Sequence, residues 1–451
     1  MDKIREVLVQ VRRSSAELMG LAGACGPSPD RAPPTEKSIR KARAKVAAAL
    51  GISKRQGEAH HDASPWRWHL VDRVQELAED PDRYVGEWLR DGAPFGVARE
   101  IVPGGLLPRI TEEASLTMEQ LYEQQAFDDN HGSFREVVEG KQPALDELQQ
   151  LVDLGFARVC KDLDSAERLL GRRPVVSPLG NVVKLKPDLT RKNRLIQDFR
   201  ASAVNSASVV HERQVLPRFC DHAHDIAALS ALGSSVGVFV LDFKHAFMTV
   251  PLAKEEMAFN ASVIPAGIRR NREPLEAGEP TEGTILLWRV LGFGGHANPL
   301  VYSRVASFAA RSGQGLLYHP SSVSGLAHGR LQLYVDDPAL TLAGSEEEQN
   351  RAIDLLVLWF LVLGIPLSWQ KGFFGQIESG HTWIGVRFGL AAPGVASLTL
   401  PEECCKELLH LAQQFADKKV KVMLLKQAHE LCGRAGRVAQ VVPYCRSFLS
   451  C

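Results

Sequence analysis

Leu331-Gln332-Leu333-Tyr334-Val335-Asp336-Asp337 is a largely apolar run that ends in two adjacent carboxylates, with Pro338 directly after them. A second apolar run, Val238-Phe239-Val240-Leu241, closes on a lone acid, Asp242. Acids at the ends of hydrophobic strands repel one another and add nothing to a core, so they are a poor device for stability. They are a good device for holding divalent cations at the rim of a sheet, where carboxylate and phosphate oxygens share the ions. Two such ions, about 3.5–4 Å apart, activate an attacking hydroxyl and stabilise a departing pyrophosphate. Asp242 and Asp336 are distant in the chain, so only a fold can bring them together. Each signal alone also fits an ordinary feature, since an acidic pair suits a hairpin turn.

The 451 residues are 45% hydrophobic and 24% charged, enough for a packed core in two or three domains or one multi-lobed enzyme. Lys plus Arg and Asp plus Glu each number 53, so bulk charge does not mark a nucleic-acid binder, and a local basic cleft has to serve instead. The eight cysteines lack zinc spacing and read as reduced, structural thiols. His60-His61-Asp62 lies in a polar stretch without further ligands and reads as a solvated loop. No apolar leader opens the chain, and the longest apolar run, Leu355 to Leu363, is too short to span a bilayer, so no membrane partner is expected. Ser345 with Glu348 is a capping-box pattern before that run and Gly364 suits its end, which predicts a buried helix.

Residues 1–75 read as a flexible, basic N-terminal extension, with Gly26-Pro27-Ser28-Pro29, Pro33-Pro34 and then Lys37, Arg40, Lys41, Arg43 and Lys45. That basic stretch suits either nucleic-acid contact or a solvated helix. Residues 76–139 read as mainly helical. From about 175 short apolar runs alternate with turn signals, and candidate strands cover 182–185, 194–198, 238–242, 258–264, 285–291, 331–335 and 381–388. Asn298 and Pro299 open a helix that Gly313 is expected to end. Residues 396–451 turn helical again and locally basic. The fold class expected is α+β, an antiparallel sheet with helices behind it.

Asn193-Arg194-Leu195-Ile196-Gln197-Asp198-Phe199-Arg200 with Asn205, then Leu241-Asp242-Phe243-Lys244-His245-Ala246-Phe247 with Val250-Pro251-Leu252, resemble the first two motifs of reverse transcriptases. Met257-Ala258-Phe259, Gly292-Phe293-Gly294 with Asn298-Pro299 and Tyr302, Tyr334 to Asp337, Lys371, and Trp383-Ile384-Gly385 follow in that family's order. The resemblance spans about 180 to 390. It implies a right-hand polymerase, with fingers and palm over 140–395 and a helical thumb over 396–451. Leu431-Cys432-Gly433-Arg434 through Pro443, and Arg446-Ser447-Phe448-Leu449, resemble the segment after the core in DIRS-like retrotransposons.

The resemblance implies roles residue by residue. Asp242, Asp336 and Asp337, with the Phe243 backbone carbonyl, would hold two magnesium ions, manganese being the alternative. Lys371 would protonate the leaving pyrophosphate. Lys186, Arg194, Phe243, Phe247, Phe293 and Gly294 would receive the dNTP, Phe247 excluding a 2′-hydroxyl by bulk. The implied partners are dNTPs and an RNA or DNA template with its primer, together with other retroelement-encoded domains. The chain is expected to stop short of an RNase H or recombinase domain. Its compartment is left open, intracellular in cytoplasm or nucleus.

Some residues depart from the family pattern. Pro338 stands where an apolar strand residue is usual, Gly292 replaces Pro, Met257 replaces Thr, and 265–282 is an insertion. These leave the ligand positions intact but keep a second reading open, a catalytically decayed polymerase-like module that still binds nucleic acid. A convergent metal-dependent phosphoesterase is a third reading, and it has no use for Arg194 or Phe247.

Overall fold

The computed structural model describes residues 1–124, 129–138, 142–185, 191–264, 284–318, 326–416 and 424–442. Helices α1 (Asp2–Arg13), α2 (Glu36–Ala49), α3 (Lys54–Glu58), α4 (Trp68–Leu77) and α5 (Val85–Asp91) come first. Then follow α6 (Met118–Glu123), α7 (Pro143–Asp153), β1 (Ala157–Cys160), α8 (Leu163–Leu170), β2 (Leu179–Leu185), β3 (Arg191–Gln197), α9 (Val204–Ala207) and α10 (Phe219–Ser230). The central part holds β4 (Val236–Val240), β5 (Ala261–Ile264), β6 (Thr284–Trp288), α11 (Asn298–Leu317), β7 (His328–Tyr334), β8 (Asp337–Ala343), α12 (Glu346–Leu363) and β9 (Phe373–Gln376). The chain continues through β10 (His381–Trp383), β11 (Val386–Ala392), β12 (Val395–Thr399), α13 (Glu402–Ala416) and α14 (Leu425–Val441).

The architecture is the expected α+β right hand. The palm is an antiparallel sheet of order β7-β8-β4-β9. β4 sits second from one edge and is buried along almost its whole length because both faces are covered. Alternation sends Val236 and Val238 towards α10 and β11, while Phe239 and Leu241 join the core around α12. The fingers contribute the β2–β3 hairpin and a small sheet of order β1-β6-β5. α12 runs from a Ser345–Glu348 capping box to Gly364 in the left-handed region, as expected, and Leu355 to Leu363 are buried.

Several sequence expectations are corrected. α11 continues through Gly313 to Leu317, because that glycine lies under Leu356 and Leu331, where a side chain would collide. Met257–Phe259 is a 3-10 turn and the strand begins at Ala261. β8 was not among the expected strands; Pro338 is admitted as its second residue, paired with Leu333. Residues 92–117 carry neither helix nor strand, since Gly92, Pro94, Gly96, Pro103 to Gly105 and Pro108 interrupt them. They are held instead by buried Glu256, which accepts from the backbone N–H groups of Phe95, Gly96, Ala98 and Arg99 at 2.9–3.1 Å.

The largest correction concerns residues 1–75, which form a packed layer and not a flexible arm. Ile4, Leu8 and Val11, spaced for one helix face, are buried with Ile39, Val46 and α12 in one core. Two of the basic residues are anchors. Arg43 is 2% exposed and donates to the carbonyls of Val362 (3.0 Å) and Leu361 (3.1 Å), at the C-terminus of α12. Arg5 donates to Leu316 (2.6 Å), Gly315 (3.0 Å) and Tyr318, at the C-terminus of α11. Each guanidinium satisfies orphan carbonyls and opposes the negative end of a helix dipole. Asp354 of α12 in turn accepts from Arg12 (2.6 Å) and the N–H groups of Gly20 and Leu21.

Among the described residues no helix is long and apolar enough to cross a membrane. The insertion 265–282 and the tail motif Arg446 to Leu449 lie outside the described residues.

Two predictions follow from buried polar pairs. Arg304 and Asp82 are 1% and 0% exposed in their side chains and share two hydrogen bonds of 2.7 and 2.6 Å, with Arg304 stacked over Trp88 at 4.2 Å. Asp82→Ala leaves that guanidinium short of its counter-charge and is expected to cost about 3–5 kcal/mol, read as a lowered denaturation midpoint. His222 and His381 face each other with Nε2 atoms 2.9 Å apart and both Nδ1 atoms unpartnered among the described residues. Burial pushes them from 6.5 down to about 3 and about 4. Below pH 6.5 the unfolded chain therefore binds protons that the folded chain refuses, and stability falls as pH falls towards 4. Each histidine contributes at most about 1.4 kcal/mol per pH unit. Thermal melts of His222→Gln/His381→Gln should show a shallower decline across this window than the unmodified protein.

Candidate active site

The acids meet because backbone hydrogen bonds extend the β4–β8 ladder past the end of β4. Leu241 N–H donates to the Pro338 carbonyl at 3.0 Å, and Phe243 N–H donates to the Asp336 carbonyl at 2.8 Å. Lacking an N–H, Pro338 cannot return the first bond. On the other side of Asp242, Ser368 N–H donates to the Asp242 carbonyl and Lys244 N–H to the Pro366 carbonyl, both at 2.8 Å. Asp242 is thus held between two neighbouring segments.

The β7–β8 hairpin turns on only Val335 and Asp336, with Tyr334 paired to Asp337. Val335 lies in the left-handed region with φ +57°, a strained place for a β-branched residue, costing roughly 1–3 kcal/mol. The surrounding contacts hold it there. Trp383 Nε1–H donates to the Asp337 carbonyl at 3.1 Å, and the Tyr334 and Trp383 rings meet edge to face at 6.4 Å.

Burial, then the charge of Asp242, raises the Asp336 carboxyl above its usual range. Burial, then Asp336 and Asp242, pushes Asp337 up to about 7. Tyr302, fully buried on α11, is raised well above the usual tyrosine value by burial and by the same three acids. Three carboxylates therefore share one electrostatic neighbourhood.

Cations answer them. The Lys371 ammonium pairs with the Asp242 carboxylate. Lys192, two residues before Arg194 on one face of β3, has its pKa lowered by burial and by Lys371 and Arg194, against the pull of Asp242 and Asp336. Sequence reading missed Lys192, although period-2 alternation from Arg194 points to it. Lys186 lies outside the described residues.

An aromatic row leads away from the acids. Tyr302 stacks on Phe247 at 4.8 Å, Phe247 meets Phe293 at 5.6 Å, and the Arg194 guanidinium lies 4.9 Å over the Phe293 ring. Phe243 behaves differently from the role its motif implies, since its ring is buried against Phe360 and only its backbone is left for the site. Gly294 has φ +116°, and a Cβ there would collide with the Gln197 carbonyl oxygen. Its glycine is required by the fingers strand. Asn205 staples the same place, donating to the Gly294 carbonyl (3.1 Å) and accepting from His296 N–H (2.8 Å). Asp198 likewise is structural, accepting from the N–H groups of Arg200 and Ala201.

The donor set fits a divalent cation in chemistry: burial and neighbouring acids raise Asp336 and Asp337, and an ammonium already sits on Asp242. Among the described residues no three ligating side chains converge into a cage, and Asp242 is paired with Lys371.

No curated protein sequence matches the chain. Many solved structures do. One is the foamy viral protease-reverse transcriptase in complex with RNA/DNA hybrid, 15% identical, with a TM-score of 0.44 over 83% of this chain and 40% of that one. The chain thus spans less than half the length of that relative. The model of the family described as reverse transcriptase (RNA-dependent DNA polymerase) matches residues 184–388, which hold the fingers hairpin, the acids and the aromatic row. Residues 184–388 form a reverse transcriptase domain.

Proposed function

We propose that the chain performs template-directed DNA synthesis, joining a dNTP to a primer 3′-hydroxyl on an RNA or DNA template. The observation that carries this reading is the hydrogen bond between Phe243 N–H and the Asp336 carbonyl, which sets the end of β4 beside the acidic turn, opposite Lys192, Arg194 and Lys371. In the reaction the 3′-oxygen forms a bond to the α-phosphorus, and the bond from that phosphorus to pyrophosphate breaks.

Asp242, Asp336 and Asp337, with the Phe243 carbonyl, would hold two Mg²⁺ or Mn²⁺ ions. Such ions lower the pKa of the attacking hydroxyl and offset charge on the departing pyrophosphate. Arg194 and Lys192 supply donors for the triphosphate from the fingers side. Phe247, braced by Tyr302 and Phe293, presents a ring where the sugar of the nucleotide lies and leaves no room for a 2′-hydroxyl. Lys371 delivers the proton that pyrophosphate needs. It cannot do so while it neutralises Asp242, so the two positions of Lys371 exclude each other.

The Lys371–Asp242 pair also favours a second reading, a nucleic-acid-binding module whose acids are held closed by their own lysine. Primer extension with Mg²⁺ or Mn²⁺ separates the two, because the closed module binds primer–template without extending it. Asp336→Asn is expected to abolish extension, a loss of at least about 10³-fold, while primer–template binding persists; extension that survives it removes Asp336 from the metal ligands. Phe247→Val should raise ribonucleotide incorporation relative to deoxyribonucleotide by about 10–200-fold, read from the ratio of kcat/KM values, the range that steric selection over a small group supplies.

A further inference from the structure

The N-terminal layer carries a cleft that shares no residue with the acidic site. Its volume is about 1110 Å³, and Lys37, Arg40, Lys41, Lys45, Lys54 and Arg67 line it. Lys37, Lys41 and Lys45 stand four residues apart on one edge of α2 and are exposed. Like charges at this spacing weaken a helix, so the stripe is not there for the stability of α2. The acids of the same wall each hold an arginine, although the buried Oε1 of Glu58 has no hydrogen-bond partner among the described residues. Glu36 pairs with Arg40 (3.2 Å) and Arg43 (3.5 Å), and Glu58 pairs with Arg43 (2.6 Å). Among the described residues Lys37, Lys45 and Lys54 have no ion-pair partner.

Arg67 adds a second, independent observation. One of its terminal nitrogens donates to the Glu58 carbonyl at 3.0 Å, but its buried Nε has no hydrogen-bond partner among the described residues. Burial and the neighbouring Arg43 push it down to about 10. A buried guanidinium N–H without an acceptor, next to another guanidinium, is relieved by an anion. With 53 basic and 53 acidic residues in the chain, this excess is local and not a reflection of overall charge.

The shape says which anion. Lys37 to Lys45 spans about 12 Å along α2, long enough to follow several phosphates of one strand. The lining holds no Phe, Tyr or Trp on which a base could stack, so the contact is with backbone and not with sequence. Leu18 lines the cleft, and a few residues later Gly26 N–H donates to the Trp369 carbonyl at 2.8 Å, beside Lys371. One segment thus connects the cleft to the palm edge. We propose that this cleft is a second, sequence-independent site for the phosphodiester backbone of a single-stranded nucleic acid. It rests on the polymerase reading above, which supplies such a strand.

Fluorescence anisotropy with labelled single-stranded RNA, single-stranded DNA and an RNA/DNA hybrid tests it, on the full chain and on Lys37→Glu/Lys41→Glu/Lys45→Glu. The variant should bind both single strands at least about tenfold more weakly, and the slope of log affinity against log salt should fall by about two between about 50 and 200 mM. Lys→Gln at the same three positions should give a smaller loss in the same direction. The thermal midpoint of the Lys→Gln variant should be unchanged or raised, since like charges are removed and none are put in their place. Single-nucleotide incorporation at saturating primer–template should be unchanged. Unaltered affinity and slope for both single strands overturn the proposal, as does a loss confined to the hybrid. Asp336→Asn run alongside keeps the two readings separate: failure of incorporation to depend on Asp336 sinks the polymerase assignment, whereas the anisotropy arms report on the cleft alone.

Discussion

Mutual repulsion of three carboxylates is the constraint around which this molecule is organised. Left free, Asp242, Asp336 and Asp337 would separate; burial and one another's charge raise Asp336 and Asp337. What opposes separation is the backbone. The bonds from Leu241 to Pro338 and from Phe243 to Asp336 on one side, and from Ser368 to Asp242 on the other, leave Asp242 nowhere to go. Val335 is forced into a left-handed conformation by the same closure, so part of the packing energy of the palm is stored as strain in a two-residue turn.

Holding such a turn needs a rigid frame, and the frame is built largely from helices α11 and α12 with the N-terminal layer behind them. The last turns of both helices, Leu316–Leu317 and Leu361 to Leu363, are buried, where bare carbonyls would be costly. Arg5 and Arg43 supply the missing donors. An arginine suits this role better than a lysine, because its planar fork reaches several carbonyls at once and remains charged when buried. The N-terminal residues are thus part of the palm's support, and their basic character serves two separate ends: Arg5 and Arg43 point inwards as caps, while Lys37, Lys41 and Lys45 point outwards.

That division explains what the sequence made legible and what it did not. The apolar runs ending in Asp242 and Asp336, the capping box before α12 and the glycine after it are local signals, and local signals predict local structure. The basic stretch at 37–45 reads as one solvated surface, because nothing local separates Arg43 from Lys41; only its carbonyl partners on α12, far away in the chain, bury it. β8, with Pro338 as its second residue, was not among the expected strands. Here the proline ring faces a position where β7 asks for no donor, and the missing N–H falls on the β4 side. Within the site, Gly294 is a residue whose resemblance implies dNTP contact, yet its missing side chain is required by the Gln197 carbonyl packed against it. Conversely Lys192, which no motif singles out, stands with Arg194 facing the acids because a strand repeats every second residue.

The position of Lys371 joins these strands of argument. An ammonium on Asp242 partly neutralises a cluster of acids that burial and mutual repulsion would otherwise leave more costly. The same side chain is exposed on its outer side, at the start of β9 and close to where the N-terminal segment touches Trp369. A group that is half in solvent and bound by one charge is easily displaced by a denser positive charge. Lys371 is thus held at the site by its charge, whereas Asp242 is held there by backbone hydrogen bonds on both sides.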